Sequence, residues 1–442
     1  MHYYPHSQEM LDKMMETTRI SKLDELFSDI PDEIKLRKPL ELSSGIGELE
    51  LQQKLRELSG KNVTVNDCPS FLGAGAYDHF VPSAIDALLM REEFYTSYTP
   101  YQPEISQGIL QSIFEYQSYV CRLTEMDVSN ASMYDGASAL GEACRISSIN
   151  KKRSKIVLAG TLHPSYIETV KTYAVKESME IVVVPEKNGR VDTDKFLELI
   201  DNKTACAVIG QPNFYGLLED GIEAVEKKIH EVKGYFIMTV NAMSLGILKS
   251  PGAWGADFAV GDGQPFGNGL NFGGPALGFF AAKKANLRQM PGRIVGKTVD
   301  NEGKTAFVLT LQAREQHIRR QKASSNICSN QALNALAMGI YLTSVGSRGL
   351  VEIANRCHSN AVYAYESCIE SGVKVRYDGA FFMEFVIDVD DSKAMNDKLL
   401  KNGIIGGYAV DDKGLMLAFT EKRSKKEIDK LVSILKGGEA VD

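Results

Sequence analysis

Apolar positions recur along this chain with two different spacings, and the change from one to the other divides it into regions. Over residues 1–60 the spacing is helical. Ser7 can cap a helix whose apolar residues are Met10, Leu11, Met14 and Met15, and Leu23 to Phe27 continue the pattern. Pro31 interrupts it, and Ile46, Leu49, Leu51 and Leu55 predict a second helix ending before Gly60. A polar helical arm of this kind packs on a partner or on a distant part of its own chain, or remains a solvated extension.

From about residue 105 the pattern changes. A helix carrying Ile109, Ile113, Tyr116 and Val120 leads to Asp135-Gly136-Ala137-Ser138 and a further helix. Short apolar runs then alternate with amphipathic stretches: Ile156 to Ala159, Ile181 to Val184, Ala205 to Ile209, Tyr235 to Val240 and Phe258 to Val260. Near-continuous apolar runs are what parallel strands covered on both faces look like, and their alternation with helices predicts an open α/β sheet. The glycine-rich stretch from Gly261 to Gly278 reads as a loop, and Thr310 to Met338 as a long helical region interrupted near Ser324-Ser325-Asn326. A helix from Gly349 and candidate strands at Val373 to Tyr377, Phe381 to Val389 and Leu415 to Phe419 predict a smaller α+β domain. The expected organisation is an arm over 1–60, a large sheet domain over 61–325 and a small domain over 326–442.

Charge and composition narrow the function classes. Fifty Lys and Arg against 57 Asp and Glu give a formal net charge of −7 and a pI near 5.7, the opposite of the basic balance of a nucleic-acid binder. No run reaches the roughly 18 apolar residues of a membrane span, and the start, MHYYPHSQEM, lacks the basic and apolar segments of a secretory signal. Seven cysteines, none in a C-x-x-C pair, read as free thiols of a reducing, cytoplasmic compartment. Seven scattered histidines without H-E-x-x-H give no reason to expect a metal site.

Several fingerprints are absent. Gly261-x-Gly263 fails the dinucleotide pattern because position 266 is Phe, no Gly-Lys-Ser/Thr follows a glycine run, and no G-x-S-x-G elbow occurs. Other segments could carry chemistry. Gly136-Ala137-Ser138 at a helix start could offer N–H groups and a hydroxyl to a phosphate, although capping by Asp135 or Ser138 is the simpler reading. His163 follows a predicted strand, where ligands of open sheets lie, and Asn241 follows another. Tyr95, Tyr98 and Tyr101, interleaved with Pro100, Gln102, Pro103 and Glu104, form a segment too rich in proline for helix or central strand; it suits an interface, a ligand wall or a self-packed surface loop. Arg314, His317, Arg319, Arg320 and Lys322 form a basic helix face, by default solvated.

Taken together, these segments resemble one family. SYTPYQPEISQGILQSIFEYQ (97–117), NASMYDGASALGEA (130–143), GDGQPFGNGLNFGGPALGFF (261–280), RQMPGRIVG (288–296) and LTLQAREQHIRRQKASSNICSNQAL (309–333) are similar to the first, α-type subunit of two-subunit glycine decarboxylase, the P-protein of the glycine cleavage system. The resemblance covers essentially the whole chain. It implies a fold-type-I pyridoxal-phosphate architecture and an α2β2 assembly in which subunit 2 carries pyridoxal phosphate. The assembly decarboxylates glycine and passes the aminomethyl group to the lipoylated H-protein.

That resemblance also says what a cofactor-bearing chain needs: an acid beside the pyridine nitrogen and a lysine for the Schiff base. Asn241 stands at the first position and Pro265 at the second, with Lys283 and Lys284 beyond the next predicted strand. Gly136, Ala137 and Ser138 match the phosphate loop and His163 the ring-stacking histidine. The resemblance thus implies a vestigial cofactor pocket, with no catalytic residue expected in the chain alone. Tyr98, Tyr101, Gln102 and Glu104 are the candidates for completing the partner's cleft. A purely structural stabiliser of subunit 2, or an autonomous enzyme using Lys283 or Lys284, are the competing readings.

Overall fold

The computed structural model describes residues 5–36, 38–327 and 330–437, so Cys328 lies outside the described residues. The chain divides into two units, Met1–Val63 and Thr64–Asp442. In the first, helix α1 (Gln8–Thr18) is capped by Ser7, whose hydroxyl accepts from the Met10 N–H. Leu23–Phe27 forms a 3-10 turn, and helix α2 spans Glu48–Ser59. No described residue of this unit is buried, and Leu49, Leu51, Leu55 and Leu58 of α2 are exposed.

The second unit is built on a seven-stranded sheet. Its strands are β1 (Val128–Ser129), β2 (Lys155–Ala159), β3 (Glu180–Val184), β4 (Thr204–Gln211), β5 (Tyr235–Asn241), β6 (Phe258–Asp262) and β7 (Gly278–Ala282). Their order is β1-β7-β6-β5-β4-β2-β3. Strands β3, β2, β4, β5 and β6 run parallel, and β7 and β1 add an antiparallel edge. All eight residues of β4 are buried, as a strand covered on both faces requires. Helices α3 (Gln107–Thr124), α4 (Gly136–Lys151), α5 (Pro164–Glu177) and α6 (Ile222–Glu231) cover the sheet. Of the four apolar residues that predict α3, Ile113, Tyr116 and Val120 are buried and Ile109 is half-buried. In α4 small residues permit close approach: a Cβ at Gly141 would lie 2.9 Å from the Tyr173 ring of α5.

The expected strands in the large domain are all present, but other expectations need correction. Ile294–Val299 (β8) and Thr305–Thr310 (β9) form an antiparallel hairpin, and of the helical region predicted over Thr310 to Met338 only a short turn at Gln316–Arg319 and the part from Ala332 are α-helical. Leu311 adopts a left-handed backbone, φ 55°, and the residues after it form short turns before helix α7 (Ala332–Glu370). The predicted basic helix face fails with it, because the Arg314 guanidinium turns inward and donates to the carbonyls of Met290 and Gly292. Helix α7 is broken at Gly346, whose φ of 61° and ψ of −179° are open to glycine and disfavoured for other residues.

Helix α7 serves two cores. Its first leg places Met338 and Tyr341 in the sheet core, and its second places Ala361, Ala364 and Cys368 in a separate one. Over that second core lies a three-stranded sheet, β10 (Glu384–Asp388), β11 (Tyr408–Asp411) and β12 (Gly414–Ala418), in the order β10-β12-β11. Helices α8 (Ser392–Lys401) and α9 (Lys425–Leu435) flank it. The predicted strand at Val373 to Tyr377 is reduced to one bridge, Val375 to Ile387, and the Arg376 side chain pairs with Asp388 and Asp411. Phe385 stacks on Phe419 at 5.4 Å, and Phe71 meets Phe419 edge-on.

Phe71 begins a strap, residues 70–80, that is fastened to this smaller sheet. The Ala74 N–H and the Tyr77 hydroxyl donate to Glu384, at 3.1 and 2.7 Å. Asp78 pairs with Lys422 and Arg423. His79 Nδ1 and the Phe80 N–H each lie 2.7 Å from the Glu421 carboxylate, which the Cys357 thiol also faces at 3.4 Å. Although burial acts against it, the Glu421 carboxyl is held down at about 2 by its His79 hydrogen bond and charge and by the Phe80 amide.

Two predictions concern this frame. A Cβ at Gly278 would lie 2.2 Å from the Asp135 carbonyl, so Gly278→Ala must displace the turn that leads into α4. A loss of about 1–3 kcal/mol is expected in urea unfolding. Glu421→Gln should cost about 3 kcal/mol at neutral pH by breaking a buried pair. Because the folded pKa of Glu421 lies below its ordinary 4.5, the pair's contribution is complete above that pH and is lost as pH falls through about 2. Denaturation of the two proteins between pH 4.5 and about 2 should show the difference narrowing as pH falls.

Candidate functional site

The carboxyl ends of the parallel strands open into one cavity of about 320 Å³. Open α/β sheets bind their ligands at this edge. Strand β2 leads to His163, β4 to Pro212, β5 to Asn241 and β6 to Asp262; the strap contributes Ala74–Tyr77 and β10 contributes Glu384. In the ladder between β5 and β6, Asn241 and Asp262 are direct partners.

Of the residues expected from sequence, Ala137, His163, Asn241 and Pro265 line this cavity, with Gly136 and Ser138 in the adjoining first turn of α4. Asp135 and Ser138 form a reciprocal capping box: the Ser138 N–H donates to Asp135 Oδ1 at 2.7 Å, and the Asp135 N–H donates to Ser138 Oγ at 3.2 Å. The simpler reading of this motif, a helix cap, is therefore what the hydroxyl and the carboxylate do here. His163 is a neutral ring with both nitrogens engaged. Its Nε2–H donates to the Ala74 carbonyl at 3.0 Å, and its Nδ1 accepts from the Ser165 N–H. Burial lowers its pKa, opposed by the bond to Ala74. Asn241 Oδ1 is also occupied, accepting from the Met243 and Ser244 N–H groups of the turn that follows β5.

Four lining residues carry polar chemistry that the sequence reading missed: Tyr77, Tyr166, Asp262 and Glu384. The Tyr166 hydroxyl donates to Asp262 Oδ2 at 2.8 Å. Asp262 Oδ1 is sealed from solvent without a hydrogen-bond partner. Burial, helped by the neighbouring Asp135, raises the Asp262 pKa to about 7 against the lowering by Tyr166 and the Gly136 amide. Glu384 is likewise raised to about 7 by burial, against the bonds from Tyr77 and Ala74. Asp262 was within reach of sequence reasoning, since it stands three residues before Pro265 in the same glycine-rich segment. Glu384 gave no such signal: it reaches the cavity only through tertiary folding, more than 100 residues along the chain from Asp262.

Among the described residues the cavity lining holds no lysine and no arginine. Lys283 and Lys284 are not among the lining residues; the Lys283 ammonium instead donates to the Gly255 carbonyl and pairs with Asp257. Tyr98, Tyr101, Gln102 and Glu104 do not line the cavity either. They lie on the exposed segment between Tyr95 and helix α3, with Tyr98 80% exposed. Tyr101 alone is anchored: Arg293 Nη2 donates to its hydroxyl at 2.8 Å, and the His317 ring meets its own ring edge-on at 5.3 Å. Behind it, Glu315 Oε2 lies 4.0 Å from Arg293 Nε and 3.7 Å from His317 Nδ1. This buried support lies in the segments RQMPGRIVG and REQHIRR, and sequence spacing gave no sign that they meet.

Away from the cavity, His79, Cys357 and Glu421 bring a ring nitrogen, a thiol and a carboxylate oxygen within 4.8 Å of one another. The expectation of a chain without a metal site meets its one candidate here among the described residues. The described cysteines, Cys68, Cys121, Cys144, Cys206, Cys357 and Cys368, are free thiols. Among the described residues no helix is long and apolar enough to cross a membrane.

Comparison with known proteins places this geometry. Residues 1–435 match the family described as glycine cleavage system P-protein. The probable glycine dehydrogenase (decarboxylating) subunit 1 of Syntrophomonas wolfei is 56% identical over 439 residues, covering 99% of this chain and 100% of that protein. Its counterpart from Carboxydothermus hydrogenoformans is 52% identical, with 99% and 100% covered. A crystal structure of glycine decarboxylase (P-protein) in inhibitor-bound form superposes with a TM-score of 0.91 at 38% identity, over 99% of this chain and 100% of that one. Sphingosine-1-phosphate lyase from Burkholderia pseudomallei, 14% identical with a TM-score of 0.67 over 91% and 92%, shares the fold alone. The fold is the α/β architecture of fold-type-I pyridoxal-phosphate enzymes, and the chain belongs to the glycine cleavage system P-protein family.

Proposed function

We propose that this chain is subunit 1 of a cytoplasmic glycine decarboxylase, working as an α2β2 heterotetramer with a second subunit that holds pyridoxal phosphate. The assembly decarboxylates glycine and transfers the aminomethyl group to the lipoylated H-protein. One observation carries the division of labour: the cavity where this fold holds its cofactor is lined without any lysine or arginine. Pro265 takes the place of a Schiff-base lysine, and Asn241, uncharged and already capping a turn, cannot act as the acid beside a pyridine nitrogen. The residues present do not fit pyridoxal phosphate, and no step of the reaction runs through this cavity.

The chain's own contribution is then made at its surface. The loop from Tyr98 to Glu104 presents a phenol, an amide and a carboxylate on a backbone stiffened by Pro100 and Pro103. Neutral groups, Tyr98 and Gln102, can orient a glycine carboxylate by hydrogen bonding, whereas an ionised Glu104 would repel it and serves better against a cation of the partner. Tyr101 differs from Tyr98 because its hydroxyl is already held by Arg293 within this chain. That favours a supporting role for Tyr101 and leaves Tyr98 as the direct contact. The exposed leucines of α2 supply apolar surface for the same association.

Two experiments test this. Borohydride reduction of the isolated chain with pyridoxal phosphate should leave no stoichiometric lysine adduct, and glycine-dependent CO2 exchange should appear only with subunit 2 added. A single trapped lysine, by peptide mapping, overturns the assignment. Tyr98→Phe should lower turnover of the assembled complex by about 5- to 30-fold, the worth of one or two kcal/mol of lost hydrogen bonding. Tyr101→Phe should have a smaller effect, and both variants should keep the tetramer and the cofactor spectrum of the partner. Unchanged kinetics for both would make the loop an interface element and this chain a structural stabiliser.

A further inference from the structure

The mismatch with pyridoxal phosphate goes beyond a missing lysine. In a phosphate-binding fold the first turn of the helix corresponding to α4 would present free N–H groups to the anion. Here that turn is already supplied with negative charge from the chain itself. Asp135 accepts from the Ser138 N–H, and Ser138 Oγ is spent in the capping box and in a 3.0 Å bond to the Asp135 carbonyl. Asp262, from the end of β6, sits over Gly136 so closely that a Cβ there would lie 2.7 Å from its Oδ2 and 1.9 Å from the Tyr166 hydroxyl. Tyr166 fixes that carboxylate with its own hydrogen bond. The remaining oxygen, Oδ1, is buried without a donor, and as an acceptor it can only repel a second anion placed beside it.

We infer that Asp262, held by Tyr166 against the first turn of α4, is an internal substitute for a cofactor phosphate and the residue that excludes phosphorylated ligands from this chain's cavity. A phosphate placed there would have to displace the carboxylate or lie beside two of them, Asp135 and Asp262. With no lysine or arginine in the lining, nothing offsets that repulsion. Glu384 across the cavity adds a third acidic group. The inference deepens the functional reading above and rests on it: it supplies a mechanism by which the cofactor is left to the second subunit.

The test uses the full chain and two probes, inorganic phosphate and pyridoxamine 5′-phosphate, whose amine cannot condense with surface lysines. Pyridoxamine, the same ring without the phosphate, is the control. In equilibrium dialysis at pH 8, Asp262→Asn should tighten binding of both phosphorylated probes by about tenfold or more relative to wild type and leave pyridoxamine unchanged. Equal affinities of wild type and variant for the phosphorylated probes overturn the assignment. If Asp262→Asn does not fold, Asp262→Ser asks the same question. The unmodified chain can also overturn the assignment by itself, if it binds pyridoxamine 5′-phosphate about tenfold more tightly than pyridoxamine. Failure of the underlying functional reading would look different: a borohydride-trapped adduct on a lysine of this chain in the assembled complex, whatever the phosphate affinities.

Discussion

A carboxylate lies against the start of a buried helix, and much of the site is arranged around that contact. Five parallel strands bring their carboxyl ends to one edge, and α4 points its positive end at the same place. Something negative has to answer that end, because unsatisfied N–H groups in a closed crevice are costly. Asp135 and Asp262 do so from within the chain, one as a cap and the other from the neighbouring strand end. Tyr166, reaching across from α5, satisfies one oxygen of Asp262 and fills the space above Gly136. The sheet, α4 and α5 are thereby joined at a point where a related fold would be joined by a ligand.

Closure of the cavity from its other side depends on the strap. Residues 70–80 are fastened to the smaller sheet through Glu384, Glu421 and the Asp78 pairs, and they deliver Ala74–Tyr77 to the lining. Glu384 serves both purposes, since it receives the strap's Tyr77 hydroxyl and Ala74 amide and also lines the cavity. Its carboxyl and that of Asp262 are both pushed up to about 7 by burial, so near neutral pH neither is fully ionised. Partial protonation is how two carboxyl groups with few donors are tolerated in one enclosed space.

The chain thus keeps the framework of its fold family while most polar side chains of the cavity bond to one another or to the backbone. At the surface, the Tyr98–Glu104 segment is exposed and its one anchored member, Tyr101, rests on Arg293 and His317. Burial of Glu315 beneath Arg293 and His317 gives that anchor a charged base.

How much of this was written in the sequence depends on the range over which each interaction acts. The strands of the sheet domain, the α3 stripe and the caps at Ser7 and Asp135 follow from local spacing and residue identity. They were legible because a buried parallel strand must be apolar throughout and a helix must be apolar on one face. The family itself was legible in long motifs such as GDGQPFGNGLNFGGPALGFF. The reading failed where a tertiary contact accompanies a departure from local pattern: Arg314 turns inward to two carbonyls in a stretch read as helix. The Asn241–Asp262 register, the Tyr166 bond to Asp262 and the arrival of Glu384 and the strap at the cavity were decided only by folding. Residue identity records which groups a chain has. Which carboxylate meets which donor is set by strand order and by the closing of one domain's segment on another, and neither is a property of any local stretch of sequence.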